Sequence, residues 1–485
     1  MQKRICALLS IIICLVSVVC FTSCTHKQGN LSSYDIDISI SGKEVIGSET
    51  FNYYNDTETS IKELKFNLFG NAFRKDAIYP PINASHTAKA YPYGINYGDM
   101  CIEKVSANKK DLTFEICGVD KNILLVQLES EIFPEERVSV DIVFRLNLAK
   151  VIARTGVNDK TINLANFYPQ LCARDENGFY ECVYYSTGDP FYSDIANYNV
   201  SITVDSSYII ASSGKLINQT EQNGLKTAKF SLSKARNFAF VLSKDFNILT
   251  SEVDGVEINY YYYNDLTPDK SMEYAEKSLS YFSNTFGEYI YNNYSIVQTP
   301  FVQGGMEYPA LVMISDSLSP EEFGEVIVHE TAHQWWQVAV GNNEIEYGFL
   351  DEGLSEYSVI LFYENHSEYG LTRESLVKSA LQTYKIYCSV YDKVFGKVNT
   401  SMVRSLTTFD SEYDYVNIAY IKPCIMYDNL RQTIGENRFF EGLKRYYKQY
   451  KYKNANPYDI VGVYEKIGAD TNGFFISFYD GKVIL

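Results

Sequence analysis

The stretch His329-Glu330-Thr331-Ala332-His333, followed after eighteen further residues by Glu352, decides the fold of this chain. On an α-helix with 3.6 residues per turn, His329 and His333 stand one above the other on a single face, so both imidazoles can reach one ion. Glu352 opens the next helical pattern and is the natural third ligand, since a catalytic zinc ion keeps its fourth position open for water. The sequence therefore predicts one zinc ion held by His329, His333 and Glu352.

Glu330 lies between the two histidines and is offset by about 100° from His329 around the helix. It can take the proton of a zinc-activated water without displacing a ligand, which predicts that Glu330 is the general base. The alternative is a chance pattern on a solvated helix. With only five histidines in the chain, we put the likelihood of that coincidence well under about 1%.

Local signals predict where this helix begins and ends. Ser319-Pro320-Glu321-Glu322 places a capping serine before a proline at the first helical position and a glutamate three residues after the cap. Gly341-Asn342-Asn343 is the predicted end. Both tryptophans, Trp335 and Trp336, fall between these signals, and packing explains them better than ligand contact.

Composition and charge narrow the class of protein. A chain of 485 residues is too long for one core and is typical of two or three domains. With 46% hydrophobic and 21% charged residues it is globular. The formal net charge of −17 disfavours nucleic acid as a partner, because the phosphate backbone would be repelled.

The amino terminus has the pattern of a processing signal. Lys3-Arg4 precede an apolar run from Ile5 to Phe21, and small residues then lead to Cys24. This end resembles the lipobox of bacterial lipoproteins, which predicts that Cys24 is lipidated and anchors an extracytoplasmic protein to the cell membrane. A plain secretory signal and a membrane anchor without lipid are the alternatives.

Periodicity divides the rest of the chain into two domains after a polar tether at 25–33. From Tyr34 to about residue 250 the apolar residues recur with a period of two, as at Tyr34, Ile36 and Ile38, which predicts an antiparallel β domain over 34–250. After Thr267-Pro268 the spacing becomes helical. The sequence therefore predicts an α+β protein whose second, mostly helical domain covers 251–485.

Six cysteines remain after Cys24. Cys172 and Cys182 flank the turn Asp175-Glu176-Asn177-Gly178, so a hairpin could set their sulfurs across from each other. A disulfide and two buried free thiols are both compatible with this pattern.

Three further segments strengthen the pattern at 329–352. Around this helix the chain resembles the aminopeptidase N family of zinc metallopeptidases. Gly304-Gly305-Met306-Glu307-Tyr308 resembles the family's Gly-x-Met-Glu-Asn motif, Asp351-Glu352-Gly353 resembles Asn-Glu-Gly, and Tyr420-Ile421-Lys422 resembles the start of Tyr-x-Lys-Gly. Tyr308 and Pro423 depart from the asparagine and the glycine that the family usually has. Pro423 removes a backbone donor close to Tyr420.

The resemblance implies a saddle-like β domain on a thermolysin-like catalytic domain, in a short form without the family's large carboxy-terminal helical domain. It also implies substrate contacts. Glu307 would bind the free α-amino group of a peptide, while Gly304, Gly305 and Met306 would let the substrate backbone approach the strand edge.

The resemblance also assigns Tyr420 as the donor to the oxyanion of the transition state. Tyr413 and Tyr415 compete for this role, but only Tyr420 is followed by x-Lys. Glu356 lies one turn after Glu352 and could orient a histidine ligand, or it could be a solvated surface residue. Gln170, in the β domain, is a further candidate contact for the substrate amino group.

These patterns predict a zinc metallopeptidase, and the resemblance implies that it acts on peptides with a free amino end. An endopeptidase or oligopeptidase with an open cleft is the alternative within the same class. A zinc-containing surface protein that binds peptides without cleaving them is the alternative from another class, and Glu330 and Tyr420 disfavour it because a binding protein needs neither.

Overall fold

The computed structural model describes residues 30–483. The predicted leader with Cys24, and residues 25–29 of the predicted tether, lie outside the described residues. Within residues 30–483, no helix combines the length and the apolar composition that crossing a membrane requires. The described chain folds into a β-rich amino-terminal domain and a largely helical second domain, which confirms the predicted α+β class.

The amino-terminal domain contains eighteen strands and little helix. The strands are β1 (Ser33–Ser41), β2 (Glu44–Tyr54), β3 (Ile61–Asn67), β4 (Asp99–Ala107), β5 (Lys110–Asp111), β6 (Phe114–Cys117), β7 (Ile123–Ile132), β8 (Arg137–Asn147), β9 (Gly156–Val157), β10 (Ile162–Ala165), β11 (Gln170–Leu171), β12 (Arg174–Asp175), β13 (Gly178–Phe179), β14 (Ala196–Asp205), β15 (Ile209–Ser212), β16 (Lys215–Gln222), β17 (Leu225–Ala235) and β18 (Ala239–Ser243). Short helical segments lie at Phe69–Phe73, Ala84–His86 and α1 (Thr87–Ala90).

Eight of these strands form the main sheet, in the order β16-β17-β14-β1-β2-β8-β4-β5. Two four-stranded sheets, β15-β18-β10-β9 and β11-β3-β7-β6, pack around it. Tyr34, Ile36 and Ile38 are buried along β1, as the alternation predicts. The predicted antiparallel pairing is wrong for one pair, because β1 runs parallel to β14. The two strands are far apart in the chain, so no hairpin constrains their direction.

The second domain begins with a five-stranded sheet. Its strands are β19 (Asn247–Val253), β20 (Val256–Tyr262), β21 (Asn293–Thr299), β22 (Gly305–Tyr308) and β23 (Leu311–Ser315), in the order β19-β20-β21-β23-β22. β19 starts just before the predicted boundary at residue 251. β22 is an edge strand, with one side free of backbone pairing among the described residues.

Helices cover this sheet and form the remainder of the domain. They are α2 (Pro268–Phe286), α3 (Pro320–Ala332), α4 (Glu344–Tyr347), α5 (Phe349–Asn365), α6 (Arg373–Phe395), α7 (Glu412–Tyr415), a π-helical turn (Val416–Ile421), α8 (Lys422–Ile434), α9 (Glu436–Tyr450), α10 (Pro457–Lys466) and α11 (Asn472–Tyr479). Single 3₁₀ turns lie at Ser367–Tyr369 and Leu406–Thr408, and β24 (Val340–Asn342) pairs with β25 (Lys453–Ala455). The predicted helix after Thr267 is confirmed as α2, with Leu279 and Phe282 buried.

The two domains share an apolar cluster and a buried arginine. Side chains of the β15-β18-β10-β9 sheet pack against side chains of the five-stranded sheet; the cluster includes Ala211, Val241, Val297, Met306 and Met313. Arg236, at the end of β17, is 3% exposed. Its guanidinium donates to the carbonyls of Gln337 and Lys453, at 2.8 Å each. The β domain therefore holds the loop that follows α3 in place.

The turn between Cys172 and Cys182 is the predicted hairpin, made by β12 and β13. Both cysteines are buried and neither is bonded to another cysteine. The structure therefore agrees with the buried free thiols, one of the two arrangements that the sequence left open.

One buried carboxylate of the β domain has no hydrogen-bond partner among the described residues. Glu49, on β2, is 1% exposed, and neither of its carboxylate oxygens has a hydrogen-bond partner among the described residues. It lies near the phenols of Tyr34 and Tyr198. Burial raises the pKa of Glu49 well above its ordinary value.

This pKa shift predicts the pH dependence of stability. Between the pKa of Glu49 in the unfolded chain and the higher pKa in the folded protein, the folded state binds the extra proton, so stability falls as pH rises. Glu49→Gln should remove this loss and raise the melting temperature at pH 8 by about 2 °C or more. The gain should vanish near pH 4. Thermal unfolding at both pH values, with the exposed Glu115→Gln as control, tests this, and an equal gain at both would contradict it.

Candidate active site

Helix α3 begins as the sequence predicts. The Ser319 hydroxyl accepts a hydrogen bond from the Glu322 backbone at 3.3 Å, and the Glu322 carboxylate accepts one from the Ser319 backbone at 2.9 Å. Reciprocal bonds of this kind satisfy donors that the first turn of a helix leaves unpaired. The metal-binding helix is thus firmly capped at its solvent-exposed start.

The predicted end of this helix at Gly341 is wrong, because α3 ends at Ala332. The chain then turns sharply: the Nδ1 atom of His333 lies 3.0 Å from the carbonyl oxygen of Trp336, and Gln337 has a φ of 120°. Trp335 and Trp336 are buried in this turn. In the sequence they continue the helical spacing of α3, but the chain does not continue as a helix there. Burial of the two indoles and the contact of Arg236 with Gln337 outweigh the local helical preference.

Three ligand atoms converge where α3 faces α5. The Nε2 atoms of His329 and His333 are 3.0 Å apart, and Oε2 of Glu352 lies 3.3 Å from the first and 3.2 Å from the second. Ligands at about 2.05 Å from a tetrahedral zinc ion would be about 3.3 Å apart. The set of two imidazoles and one carboxylate therefore fits one zinc ion with an open fourth position.

Second partners orient both imidazoles. Nδ1 of His329 lies 3.1 Å from the Glu356 carboxylate, and Nδ1 of His333 lies 3.0 Å from the carbonyl of Trp336. An acceptor on Nδ1 keeps the proton there and leaves Nε2 free to bind a metal. Of the two possibilities raised for Glu356, the structure favours the one in which it orients His329.

A cleft of about 460 Å³ opens over these ligands, and Glu330 lies in its wall. Glu330 is 5% exposed, and its Oε2 atom has no hydrogen-bond partner among residues 30–483. Burial raises the pKa of Glu330 to about 7. A Cβ atom on Gly305 would lie 2.3 Å from its Oε1, so glycine is needed at 305 for the strand to pass this close. The carboxylate is thus placed for proton transfer next to the metal centre.

Glu307 lies on the edge strand β22, in the same wall of the cleft. It is 5% exposed, and its carboxylate lies within 4.8 Å of ligand atoms of Glu330 and His333. Gln334 ties this strand to the metal-binding segment: its amide donates to the carbonyl of Tyr308 at 3.1 Å and accepts from the Ala310 backbone at 3.0 Å. Gly304, Gly305 and Met306 also line the cleft.

Two more buried carboxylates lie behind Glu307. Glu344 and Asp351 approach it within 4.8 Å, and neither lines the cleft. Gln337 donates to Glu344 at 2.7 Å and Asn342 donates to Asp351 at 3.0 Å. Burial raises the pKa of all three acids, that of Asp351 to about 8. The space behind Glu307 is therefore occupied by buried polar side chains.

The structure separates the three candidate tyrosines. Tyr420 and Tyr415 both line the cleft, whereas Tyr413 is 45% exposed and does not. The ring of Tyr420 stacks on His329, with centroids 6.0 Å apart and an interplanar angle of 13°. Tyr420 is thus the tyrosine next to the metal ligands, in agreement with its predicted place.

Gln170 does not line the cleft. Its amide donates to the carbonyl of Arg236 at 2.9 Å and accepts from Asn166 at 3.2 Å, so both ends are engaged inside the β domain. The β domain instead contributes Asp189 and Arg154, an ion pair at 2.7 Å in the cleft wall. The sequence analysis missed this pair. The only sequence signal for this pair is Gly188-Asp189-Pro190, where glycine and proline predict a turn around an acidic residue.

Residues 270–478, which contain Glu307, the three metal ligands and Tyr420, match the peptidase family M1 domain. These residues are an M1 peptidase domain. Leucine aminopeptidase 2 of Aspergillus fumigatus is 25% identical to the chain over 191 residues, 38% of this chain and 30% of that protein. Aminopeptidase RNPEPL1 of Mus musculus is 27% identical over 209 residues, 39% of this chain and 26% of that protein. The chain thus spans under a third of these relatives.

The fold extends beyond the M1 domain. The M1 zinc metallopeptidase from Deinococcus radiodurans aligns with a TM-score of 0.68 over 94% of this chain and 95% of that chain, at 17% identity. A variant of the Deinococcus protein has been solved with a Tyr-Ser-Ala substrate. At this identity the match shows the shared fold, a β-rich domain joined to an M1 domain.

The ligand geometry predicts how metal binding responds to substitution. His329→Ala, His333→Ala or Glu352→Ala should each abolish stoichiometric zinc, because two ligands rarely hold zinc in such a site. Glu356→Gln should weaken zinc binding about 10-fold through His329. Glu330→Gln should keep one zinc per chain, and the exposed Glu321→Gln on the same helix is the control. Metal analysis and chelator competition measure this; full zinc in Glu352→Ala would require another third ligand.

Proposed function

We propose that this protein is a zinc-dependent aminopeptidase that removes the first residue of peptides with a free amino end. The position of Glu307 carries the proposal. Its buried carboxylate lies within 4.8 Å of ligand atoms of Glu330 and His333, which is a suitable place for the α-amino group of a residue whose carbonyl lies at the metal centre. A carboxylate in a partly dry cleft is a strong partner for an ammonium group.

The comparisons support the same class of reaction. Two of the relatives are named aminopeptidases, and the structural relative from Deinococcus radiodurans is named a zinc metallopeptidase. The solved complex of that relative with Tyr-Ser-Ala, a short peptide, supports peptides as the substrate class.

Each side chain of the cleft has a distinct task in the proposed reaction. His329, His333 and Glu352 would hold zinc, which supplies a Lewis acid for water and for the scissile carbonyl. Glu330 takes a proton from the attacking water and returns it to the leaving amine, and its buried environment suits a base that works near neutral pH. Tyr420 donates its hydroxyl hydrogen to the oxyanion. Glu307 binds the ammonium and sets the register of the substrate.

Strand β22 gives the substrate backbone a place to bind. It is the edge of the five-stranded sheet, and the preceding Gly304 has little around it, since an added Cβ would meet only Val326, at 3.4 Å. An extended peptide can therefore add to this edge by main-chain hydrogen bonds, with its amino end at Glu307.

For location we propose that Cys24 carries lipid and holds the enzyme on the outer face of the cytoplasmic membrane. The leader pattern of residues 1–24 supports this. Protein isolated from cells should be in the membrane fraction, with a diacylglyceryl-modified Cys24 as its first residue by mass spectrometry. Cys24→Ser should release it. A mature chain that begins elsewhere and lacks lipid would contradict the anchor.

The decisive test of function concerns Glu307. Replacing it with alanine should lower kcat/KM roughly 30- to 1000-fold on substrates with a free amino end, a loss of about 2 to 4 kcal/mol of transition-state stabilisation. Hydrolysis of amino-blocked substrates should change little. Aminoacyl-fluorophore substrates and their acetylated forms measure the difference.

Two controls make this outcome interpretable. Glu330→Gln, which keeps the ligands, should lose at least roughly 1000-fold on both substrate types. The exposed Glu321→Gln should lose nothing. If Glu307→Ala lowered hydrolysis of free and blocked peptides equally, Glu307 would be structural and the endopeptidase alternative would replace the aminopeptidase. Zinc-loaded enzyme that binds peptides without any cleavage would indicate the binding protein instead.

A further inference from the structure

Tyr420 sits in an unusual piece of backbone. Residues Val416–Ile421 form a π-helical turn between α7 and α8, in which the backbone N–H of Lys422 donates to the carbonyl of Asn417, five residues back. An α-helix would use a partner four residues back. Isolated π-turns within helices are frequently found at functional sites.

Pro423 explains why the turn forms here. In a continuous α-helix its nitrogen would bond to the carbonyl of Ala419, but proline has no N–H and its ring would collide with that carbonyl. The wider turn accommodates the proline. Pro423 also packs on α5: a Cβ added to Gly353 would lie 2.3 Å from the Cβ of Pro423 and 3.5 Å from the carbonyl oxygen of Ala419. The proline and the carbonyl it displaces thus both face the residue that follows the ligand Glu352.

The turn brings two tyrosines into one cleft. In an α-helix, residues five apart differ by about 140° around the axis, so Tyr415 and Tyr420 could not both face the metal ligands. In a π-turn, residues five apart are hydrogen-bonded, which brings them closer to one face than in an α-helix. Tyr415 and Tyr420 both line the cleft, with ring centroids 5.7 Å apart at an angle of 80°.

The start of α8 cannot rotate to compensate for a change in the turn. Lys422 is fully buried, and its ammonium donates to the carbonyls of Thr400 and Phe478. Pro423 also packs closely on Gly353 of α5. A change in the hydrogen-bond register of the turn must therefore move the residues within it, which include Tyr420.

We propose that Pro423 is a positioning residue for the reaction. It maintains the π-turn that places the hydroxyl of Tyr420 beside the metal ligands, together with Tyr415. This inference rests on the proposed function, because it takes Tyr420 as the donor to the oxyanion. Pro423 acts by positioning the hydroxyl of Tyr420. Pro423 itself touches no reacting atom.

A double-mutant cycle tests the proposal. Pro423→Ala lets the turn form α-helical bonds, so kcat should fall about 10- to 100-fold, part or all of the loss expected for one oxyanion donor. KM and zinc content should stay at wild-type values. In a Tyr420→Phe background the same change should have no further effect, because the group that it misplaces is already absent. Pro268→Ala, which removes a proline from the first turn of α2, is the matched control and should change nothing.

The outcomes separate this inference from the proposed function. Wild-type kcat in Pro423→Ala overturns the role of Pro423 while the aminopeptidase proposal stands. So does an equal fall in both backgrounds, which would show a general structural effect. A Tyr420→Phe enzyme as active as wild type overturns the inference by removing Tyr420 from the reaction. If the wild-type protein cleaves no peptide, both this inference and the proposed function are wrong. If Pro423→Ala fails to fold, Pro423→Ser, which also restores the backbone N–H, runs the same cycle.

A crystal structure of Pro423→Ala adds a direct measurement. The backbone N–H of Lys422 should move from the carbonyl of Asn417 to that of Ile418, and the ring of Tyr420 should leave its stack on His329. An unchanged π-turn in this variant would show that Pro423 does not maintain it.

Discussion

The register between α3 and α5 is the constraint on which the rest of the structure depends. His329 lies on α3, His333 directly follows its last residue, and Glu352 lies on α5; their ligand atoms are 3.0 to 3.3 Å apart. The indole of Trp336 donates to Ser358 at 3.0 Å and so ties the end of the first helix to the second. Gln334 ties the same segment to the strand of Glu307. The metal ligands, Glu330 and the strand of Glu307 thus form one connected unit.

This unit concentrates negative charge where water is scarce. Glu307, Glu330 and Glu352 are each at most 5% exposed and lie close together. Burying such carboxylates costs stability unless cations accompany them, which is why burial raises the pKa of Glu307 and Glu330. In the proposed reaction, a zinc ion and a substrate ammonium are the two cations that would accompany these carboxylates. The surrounding apolar core, with its many aromatic side chains, supplies the stability that the site does not.

Local spacing rules predicted the parts of the site that lie on single elements. The i, i+4 histidines, the capping box and the position of Glu356 one turn after Glu352 all follow from helix geometry, and the structure agrees with each. Local spacing rules did not predict the end of α3. The local sequence favours a longer helix, but tertiary contacts of Trp336 and Arg236 end it at Ala332. Asp189 was missed and Gln170 misplaced for a related reason: the fold of the β domain decides which of its loops meets the cleft, and no spacing rule spans that distance.

The surroundings of Glu307 bear on the choice between the proposed exopeptidase and the endopeptidase alternative. Glu344 and Asp351 lie behind Glu307, and the ion pair of Arg154 with Asp189 from the β domain lines the cleft. Asp189 also acts electrostatically on Glu307. A peptide that continued past this point would have to break a nearly buried ion pair and would leave Glu307 without a cation, and each of these costs several kcal/mol, roughly. A peptide that ends there, with an ammonium group, avoids both. In the proposed aminopeptidase, the β domain therefore contributes the ion pair of Arg154 with Asp189 to a cleft whose metal ligands belong to the other domain.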